Sequence, residues 1–481
     1  NFIATPIKYP MGEKLMEIAK RKKKLTDKVC MRFEILYKQF MSGNIHLPND
    51  MANLYQKVKN SRDRTGAKKL EAFLNYRDNL IFWKVLGLSQ FDLDRANSFS
   101  EVEEAYLNVD KKRIDPQWNG FILRGLSLTS VPSDLLSFQI HELDLQDNYI
   151  IELPQKLCKQ LFLSNLFLNN NKLSALPPEF GELVNLRALT LSNNPISVLP
   201  DCLGKLTNLV YFELERVRLK SVPESFGNLT NLQDLYLSHN QLSDLPDSMG
   251  NLENLQNLAL NNNQFSTLPK CLGKLISLQV LFLGNNKLVS IPQWIGDLAT
   301  LEEIHLNENK LTTLPGSMGN LVNLVKLELR DNLISALPES LGNLSESLEY
   351  LGLESNRLSI LPKTISQLKK LQQLELENNR LSSLPEDIGK LASLQRLVIT
   401  HNAISHLPDN IGNLTQLQSL YLSHNQLSDL PDSMGNLENL RDLALDENQF
   451  SSIPKCFGKL TCLLNLFLGN NKLALLNGSA I

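Results

Sequence analysis

Residues Leu232–Leu255 read LQDLYLSHNQLSDLPDSMGNLENL. With Leu232 as position 1, apolar side chains fall at positions 1, 4, 6, 11 and 14 (Leu232, Leu235, Leu237, Leu242, Leu245). Asn240 holds position 9, Pro246 position 15, Met249 position 18, Gly250 position 19 and Leu252 position 21, and position 1 returns at Leu255, 23 residues on. A fixed period of this length decides the architecture before any local propensity does.

Carried outward from this stretch, the proline marks fifteen turns: Pro132, Pro154, Pro177, Pro200, Pro223, Pro246, Pro269, Pro292, Pro315, Pro338, Pro362, Pro385, Pro408, Pro431 and Pro454. A sixteenth turn starts at Leu463, with Asn477 in the proline's place. The spacing is 23 except for 22 between the first pair and 24 across Asn343–Glu349. Positions 3 to 8 alternate apolar and polar, the mark of a short strand with one buried face. Asn at position 9 both donates and accepts, so stacked copies can satisfy the backbone where the chain leaves the strand. Leu126 and Val217 replace it in turns one and five, so the ladder is expected to break there. Pro at 15 and Gly at 19 forbid a long α-helix on the opposite side, where extended or 3₁₀ backbone is expected. One such turn cannot cover its own apolar residues, so the turns must stack into a cooperative coil.

The pattern LxxLxLxxNxLxxLPxxφGxL resembles the leucine-rich repeat, in the 23-residue form of the Ras-suppressor and scribble-type intracellular proteins. The resemblance implies an α/β solenoid, right-handed, with a parallel sheet on its concave side, over residues 118–476, and residues 477–481 form a tail. The family shares a scaffold and not an activity. Similar repeats behind a helical head occur in effector proteins that pathogenic bacteria deliver into host cells, and this is the role the resemblance implies. Such effectors can carry a C-terminal ubiquitin-ligase domain with a catalytic cysteine, but here the repeats run to the end of the chain. A second reading makes the chain the recognition part of a larger enzyme, a ubiquitin ligase or kinase-type regulator, whose catalytic part lies beyond Ile481.

Residues 1–117 differ from the repeats. They hold 22 Lys and Arg against 15 Asp and Glu, whereas the remainder holds 26 against 36. Leu15, Ile18, Leu25, Val29, Phe33, Leu36 and Phe40 make one face of a helix running to about Met41; further helical segments are expected at 66–86 and from a Ser98–Glu101 capping box to Leu107. An all-α N-terminal domain that covers the apolar edge of the first turn is the expectation. Lys20–Lys24 reads as a solvated helix face, or as a nuclear address or a patch for acidic membrane or nucleic acid. At the other end no polar unit caps the last turn, so the native protein is expected to continue or a partner to cover that edge.

The residues argue against catalysis. Cys30, Cys158, Cys202, Cys271, Cys456 and Cys462 form no CxxC pair, and three of them (Cys202, Cys271, Cys456) repeat at position 17 as small wall residues. That usage fits a reducing, cytoplasmic compartment. No stretch is apolar enough to span a membrane and no signal-peptide pattern is visible. The glycines follow the repeat and make no phosphate loop, so the expectation is a non-enzymatic protein with no cofactor, metal or small-molecule substrate.

What remains is a surface. Positions 3, 5, 7 and 8 are expected to point into the concavity, so that in the opening stretch Asp234, Tyr236, Ser238 and His239 face a partner. Position 5 carries Phe167, Glu213, Tyr236, Phe282, His305, Glu328, Glu375 and Tyr421, with Tyr211, Glu303, Tyr350, Glu354 and Glu377 beside it. The middle turns are acidic and aromatic rings lie towards either end, which points to a basic protein or peptide as ligand. Finally, YLSHNQLSDLPDSMGNLENL occurs unchanged at Tyr236 and at Tyr421, and LFLGNNKL follows at Leu281 and Leu466. A block of repeats has been copied, so two similar patches are expected eight turns apart.

Overall fold

The reason these residues form this fold is visible in a single turn. Asp234–Tyr236 is a three-residue strand, positions 3 to 5 of the turn. Two residues after Leu237 the backbone bends through His239, which has φ +57°. Leu242 and Leu245 return the chain to the interior, and Pro246 then opens the 3₁₀ helix Asp247–Asn251. The proline carbonyl accepts from the Met249 N–H at 3.0 Å, so the fixed φ of proline starts the helix where its missing N–H is not needed. Leu232, Leu235, Leu237, Leu242, Met249 and Leu252 are all fully buried, and they fill the space between strand and helix.

The computed structural model describes residue 78 and residues 120–473. The helical segments expected at 15–41 and 98–107, most of the one at 66–86, the run Lys20–Lys24 and the tail 477–481 lie outside the described residues. Asp78 alone is described in that region, helical and buried. Its Oδ2 accepts from the Thr129 N–H and hydroxyl (3.0 and 2.9 Å) and from the Ser130 N–H and hydroxyl (2.6 and 2.7 Å). A buried carboxylate is stable only when its oxygens are satisfied in this way.

The chain forms two units, Asn1–Leu219 and Lys220–Ile481. In the first, five parallel strands run from β1 (Gly120–Ile122) to β5 (Tyr211–Glu213). In the second, eleven run from β6 (Asp234–Tyr236) to β16 (Asn465–Phe467), each pairing with the next in sequence. The extra residue between Asn343 and Glu349 is absorbed on the helical side, where the 3₁₀ helix Glu339–Leu344 has six residues. Strand register across it is kept, with Glu328 opposite Gly352.

The asparagine ladder is present and spans neighbouring turns. Asn263 donates to the carbonyls of Leu237 and Leu260 at 3.0 Å each, and its Oδ1 accepts from the Leu242 N–H at 3.0 Å. In the first unit Asn148, Asn171 and Asn194 do the same, and the series ends at Val217, which is fully buried. Gly at position 19 has a reason beyond helix breaking. A Cβ on Gly412 would collide with the Ser433 carbonyl of the next turn, and one on Gly389 with that of Asn410. Only a missing side chain lets the helical layers approach this closely.

One expectation is corrected. The strand covers positions 3 to 5 and not 3 to 8. Position 8 is the left-handed bend in fifteen turns, from Asp147 (φ +57°) to Asn470 (φ +50°). Asn and Asp tolerate this conformation because their side chains bond locally, yet Arg216, Glu308 and Glu447 occupy it too.

Candidate functional site

The strands alternate in burial: position 4 faces the leucine core, and positions 3 and 5 face outward. Each outward column is one residue wide and fixed by register. In the second unit the position-5 column runs Tyr236, Ala259, Phe282, His305, Glu328, Gly352, Glu375, Val398, Tyr421, Ala444 and Phe467.

The structure divides the expected binding residues between the two units. Phe167, Tyr211 and Glu213 lie on the first, all half-buried. There the Tyr211 hydroxyl donates to Glu213 Oε2 at 3.3 Å, and the other Glu213 oxygen accepts from Asn169 at 3.1 Å. The remaining ten (Tyr236, Phe282, Glu303, His305, Glu328, Tyr350, Glu354, Glu375, Glu377 and Tyr421) share the outward face of the second. Ser238 is 2 % exposed and donates to Asn261 Oδ1 at 2.6 Å, so it serves the scaffold and does not face a partner.

Within the acidic middle the carboxylates are less free than their number suggests. Glu375 is 8 % exposed, and Arg396 Nε bonds its Oε1 at 2.8 Å. The same guanidinium lies 4.7 Å from the centre of the Tyr421 ring. Burial pushes the Glu375 carboxyl above its ordinary range, and Arg396 opposes that shift. Glu303 Oε2 is 3.1 Å from His305 Nε2, and the His305 ring packs on Phe282 at 4.6 Å. Tyr350 donates to Glu328 Oε2 at 3.1 Å and carries Lys326 Nζ 5.3 Å above its ring. Burial and the neighbouring Glu328 and Glu354 hold the Tyr350 phenol well above its usual value.

Glu354 is the unusual member. Its Oε2 is buried without a hydrogen-bond partner. Burial, reinforced by Glu328 and Glu375, pushes its carboxyl up to about 7. Near neutral pH it therefore carries only part of a charge. Gly352 stands between Glu328 and Glu375 in the position-5 column, and a Cβ there would meet Glu328 Oε1 at 2.7 Å. The absent side chain is what lets Glu328 fold over the strand.

Position counting passed over Lys326, Arg330 and Arg396. Two of these stand at position 3 and Arg330 at position 7, beside the acidic column, so the signal was the opposite charge one register step away. Arg330 is paired with Glu308 at 3.6 Å and Asp331 at 3.1 Å. The face is thus a mosaic with acidic excess and not a uniform acidic stripe. The described cysteines are free thiols, and burial pushes Cys158 up to about 12 and Cys271 up to about 11, which makes them poor nucleophiles. Among the described residues no cluster of His, Cys, Asp or Glu is placed to hold a metal ion, and no helix is long and apolar enough to cross a membrane.

Comparison with known proteins gives a consistent picture. A family model described as a leucine-rich repeat region matches residues 200–285, 224–310, 339–422 and 389–474, together more than half of the chain. A second, described as leucine rich repeat, matches residues 138–196 and 162–219. Among solved structures, a leucine-rich repeat protein of Leptospira interrogans is 35% identical over 69% of this chain and 90% of its own, with a TM-score of 0.60. The plant peptide hormone receptor RGFR1, solved in complex with RGF2, is 32% identical over 71% of this chain and 61% of its own, with a TM-score of 0.57. The Arabidopsis receptor kinase HAESA, solved with the peptide hormone IDA and the co-receptor SERK1, is 28% identical over 81% and 78%, with a TM-score of 0.56. Among curated proteins, none is similar enough to match.

Proposed function

We propose that this chain, which belongs to the leucine-rich repeat family, binds a protein ligand across the outward face of the strands from β6 to β16. The observation that carries this reading is the registered column of outward-facing side chains, of which Tyr236, Phe282, His305, Glu328 and Tyr421 are half-buried and Phe467 is exposed. Aromatic rings and charged groups stand outward along it, while the leucines, asparagines and glycines of the same turns are spent on the stack. Aromatic anchors with charged neighbours are what protein ligands engage, the rings supplying affinity and the charges supplying selectivity and encounter rate. Complexes of plant receptors with this architecture and peptide hormones support the choice of a protein or peptide as the ligand. The ligand in this reading is basic where it meets Glu328, Glu354 and Glu377. The setting we propose is the cytosol, with the protein acting as an effector delivered by a bacterium on host proteins. Free cysteines fit a reducing compartment, and the 35% identity to the Leptospira protein fits a bacterial source.

The test is affinity capture from a cytosolic extract, followed by titration of the purified partner against the double variant Glu328→Lys, Glu377→Lys. A fall in affinity of at least tenfold, with a weaker salt dependence, is expected. Unchanged affinity and unchanged salt dependence would overturn the basic-ligand reading. Glu375 is left alone in this test because its reversal would also break the pair with Arg396.

A further inference from the structure

The first and the last described turns face the same packing problem and differ in how it is met. Among the described residues β1 pairs only with β2, and β16 only with β15. In the last turn Leu466 at position 4 is 39 % exposed and Leu473 at position 11 is 36 % exposed. In the first turn the same positions hold Phe121 and Leu128, at 5 % and 0 %. One neighbouring turn leaves these positions open at β16, so turn one is closed by something besides turn two.

The hydrogen bonds indicate what closes it. In later turns the N–H at position 10 donates to the carbonyl at position 11 of the turn before. Lys172 donates in this way to Ile150 at 2.8 Å, and Gln264 to Leu242 at 2.7 Å. No described turn precedes turn one. There, just past Leu128, the N–H and hydroxyl groups of Thr129 and of Ser130 all converge on Oδ2 of Asp78. The four contacts run from 2.6 to 3.0 Å and join residues 51 and 52 apart in the chain. Asp78 and Thr129 are buried, as are Leu128 and Val131 beside them. Bonds to a charged acceptor are stronger than neutral ones, and removing that acceptor leaves buried donors unpaired. Asp78 also belongs to the same compact unit as the strands β1 to β5.

We infer that the outer side of turn one is a docking surface for the chain's own N-terminal segment, and that Asp78 is the clasp that seats it. The occupant is that segment because its carboxylate fills the donor set and the apolar side chains next to it are closed to water. Thr129 and Ser130 supply the receiving half of the clasp. Each repeat touches only its neighbours, so release of the clasp frays turns one and two and leaves the second unit unchanged. The inference does not depend on whether the sheet face binds a protein.

The experiment uses the full chain and reads both halves of the contact. Hydrogen exchange followed by mass spectrometry reads the repeat side. Asp78→Ala is expected to speed exchange across residues 128–136 by about 100-fold or more, with residues 232–255 unchanged. Asp78→Asn keeps an acceptor oxygen and loses the charge, so its exchange is expected to fall between those of the alanine variant and the parent. Limited trypsin digestion reads the other side. The double variant Thr129→Val, Ser130→Ala removes two donors and leaves the sequence around the Arg77–Asp78 bond intact. Its cleavage after Arg77 is expected to be about tenfold faster than in the parent. Unchanged exchange across residues 128–136 in Asp78→Ala would overturn the inference, as would equal cleavage after Arg77 in parent and double variant. An equal rise of exchange across residues 232–255 would show general destabilisation in place of a clasp, and would overturn it too.

Discussion

Tyr236–Leu255 and Tyr421–Leu440 are the same twenty residues in one unit of one molecule, and their surroundings make them different surfaces. Beside the first copy stand the amides Asn257, Asn261 and Asn262. Beside the second stand Asp442, Asp446 and Glu447, while Arg396 covers the ring of Tyr421. His424 stacks on His401 with ring centres 3.9 Å apart, whereas the next-turn neighbour of His239 is Asn262 at 3.5 Å. Identical sequence therefore secures identical backbone and core, but the chemistry of a turn is set by the turns on either side. In a stack where each repeat touches only its neighbours, this is the expected division of labour.

The comparison is broken hardest at positions that serve the scaffold, where both copies should respond alike. Asn263 and Asn448 each donate to three backbone carbonyls at 2.9–3.4 Å and accept one N–H at 3.0 Å. Asn263→Ala and Asn448→Ala are expected to destabilise the chain by about 3 kcal/mol or more each, from buried groups left unpaired at ~1–3 kcal/mol apiece. Urea unfolding followed by circular dichroism checks this, and costs that differ greatly between the two would contradict the shared-scaffold account.

A smaller effect should separate the copies. A Cβ on Gly273 would lie 3.1 Å from the Trp294 ring, whereas one on its counterpart Gly458 would meet none of the described residues within 4 Å. Gly273→Ala is expected to cost about 1 kcal/mol through overpacking, and Gly458→Ala is expected to be neutral or slightly stabilising. Thermal melts of the two variants measure the difference.

The arginine beside the second copy offers a third contrast. Arg396→Ala removes the partner of Glu375 and the cation over Tyr421, and a loss of about 1–2 kcal/mol is expected. Asn257 and Gln233 near the first copy have no comparable charge to lose. The same urea series reads this out.

The smallest effect concerns pH and lies between the copies. The Glu354 carboxyl sits at about 7 in the fold against an ordinary 4.5, so the folded state holds its proton more tightly. Its contribution to stability is full below about pH 4.5 and is lost as pH rises through about 7. Because the group is only partly buried, the change is expected to be on the order of 1 kcal/mol after solvent screening. Glu354→Gln should flatten the midpoint temperature across that range. A variant that follows the parent curve would show that another group governs it.

Much of this was legible from period alone. The leucine positions, the strand, the proline-led 3₁₀ helix and the asparagine ladder each follow from a residue type at a fixed step. The rest was hidden for identifiable reasons. Position 8 looks like a surface site because Arg216, Glu308 and His239 share no chemistry; what they share is a backbone angle, which residue type records only weakly. The pair Glu375–Arg396 joins residues 21 apart across two strands, so it emerges only when register is known. The partial neutrality of Glu354 depends on burial by neighbouring turns. Scaffold was readable because it repeats, whereas the pairings on the outward face depend on residues that do not.

The most direct measurement is oxidative footprinting of the chain with and without its captured partner. Tyr236, Tyr350 and Tyr421 report on the outward sheet face, and Trp294 reports on the helical side. Protection of the three tyrosines with Trp294 unchanged is the predicted result; protection of Trp294 with the tyrosines unchanged would contradict a ligand on the sheet.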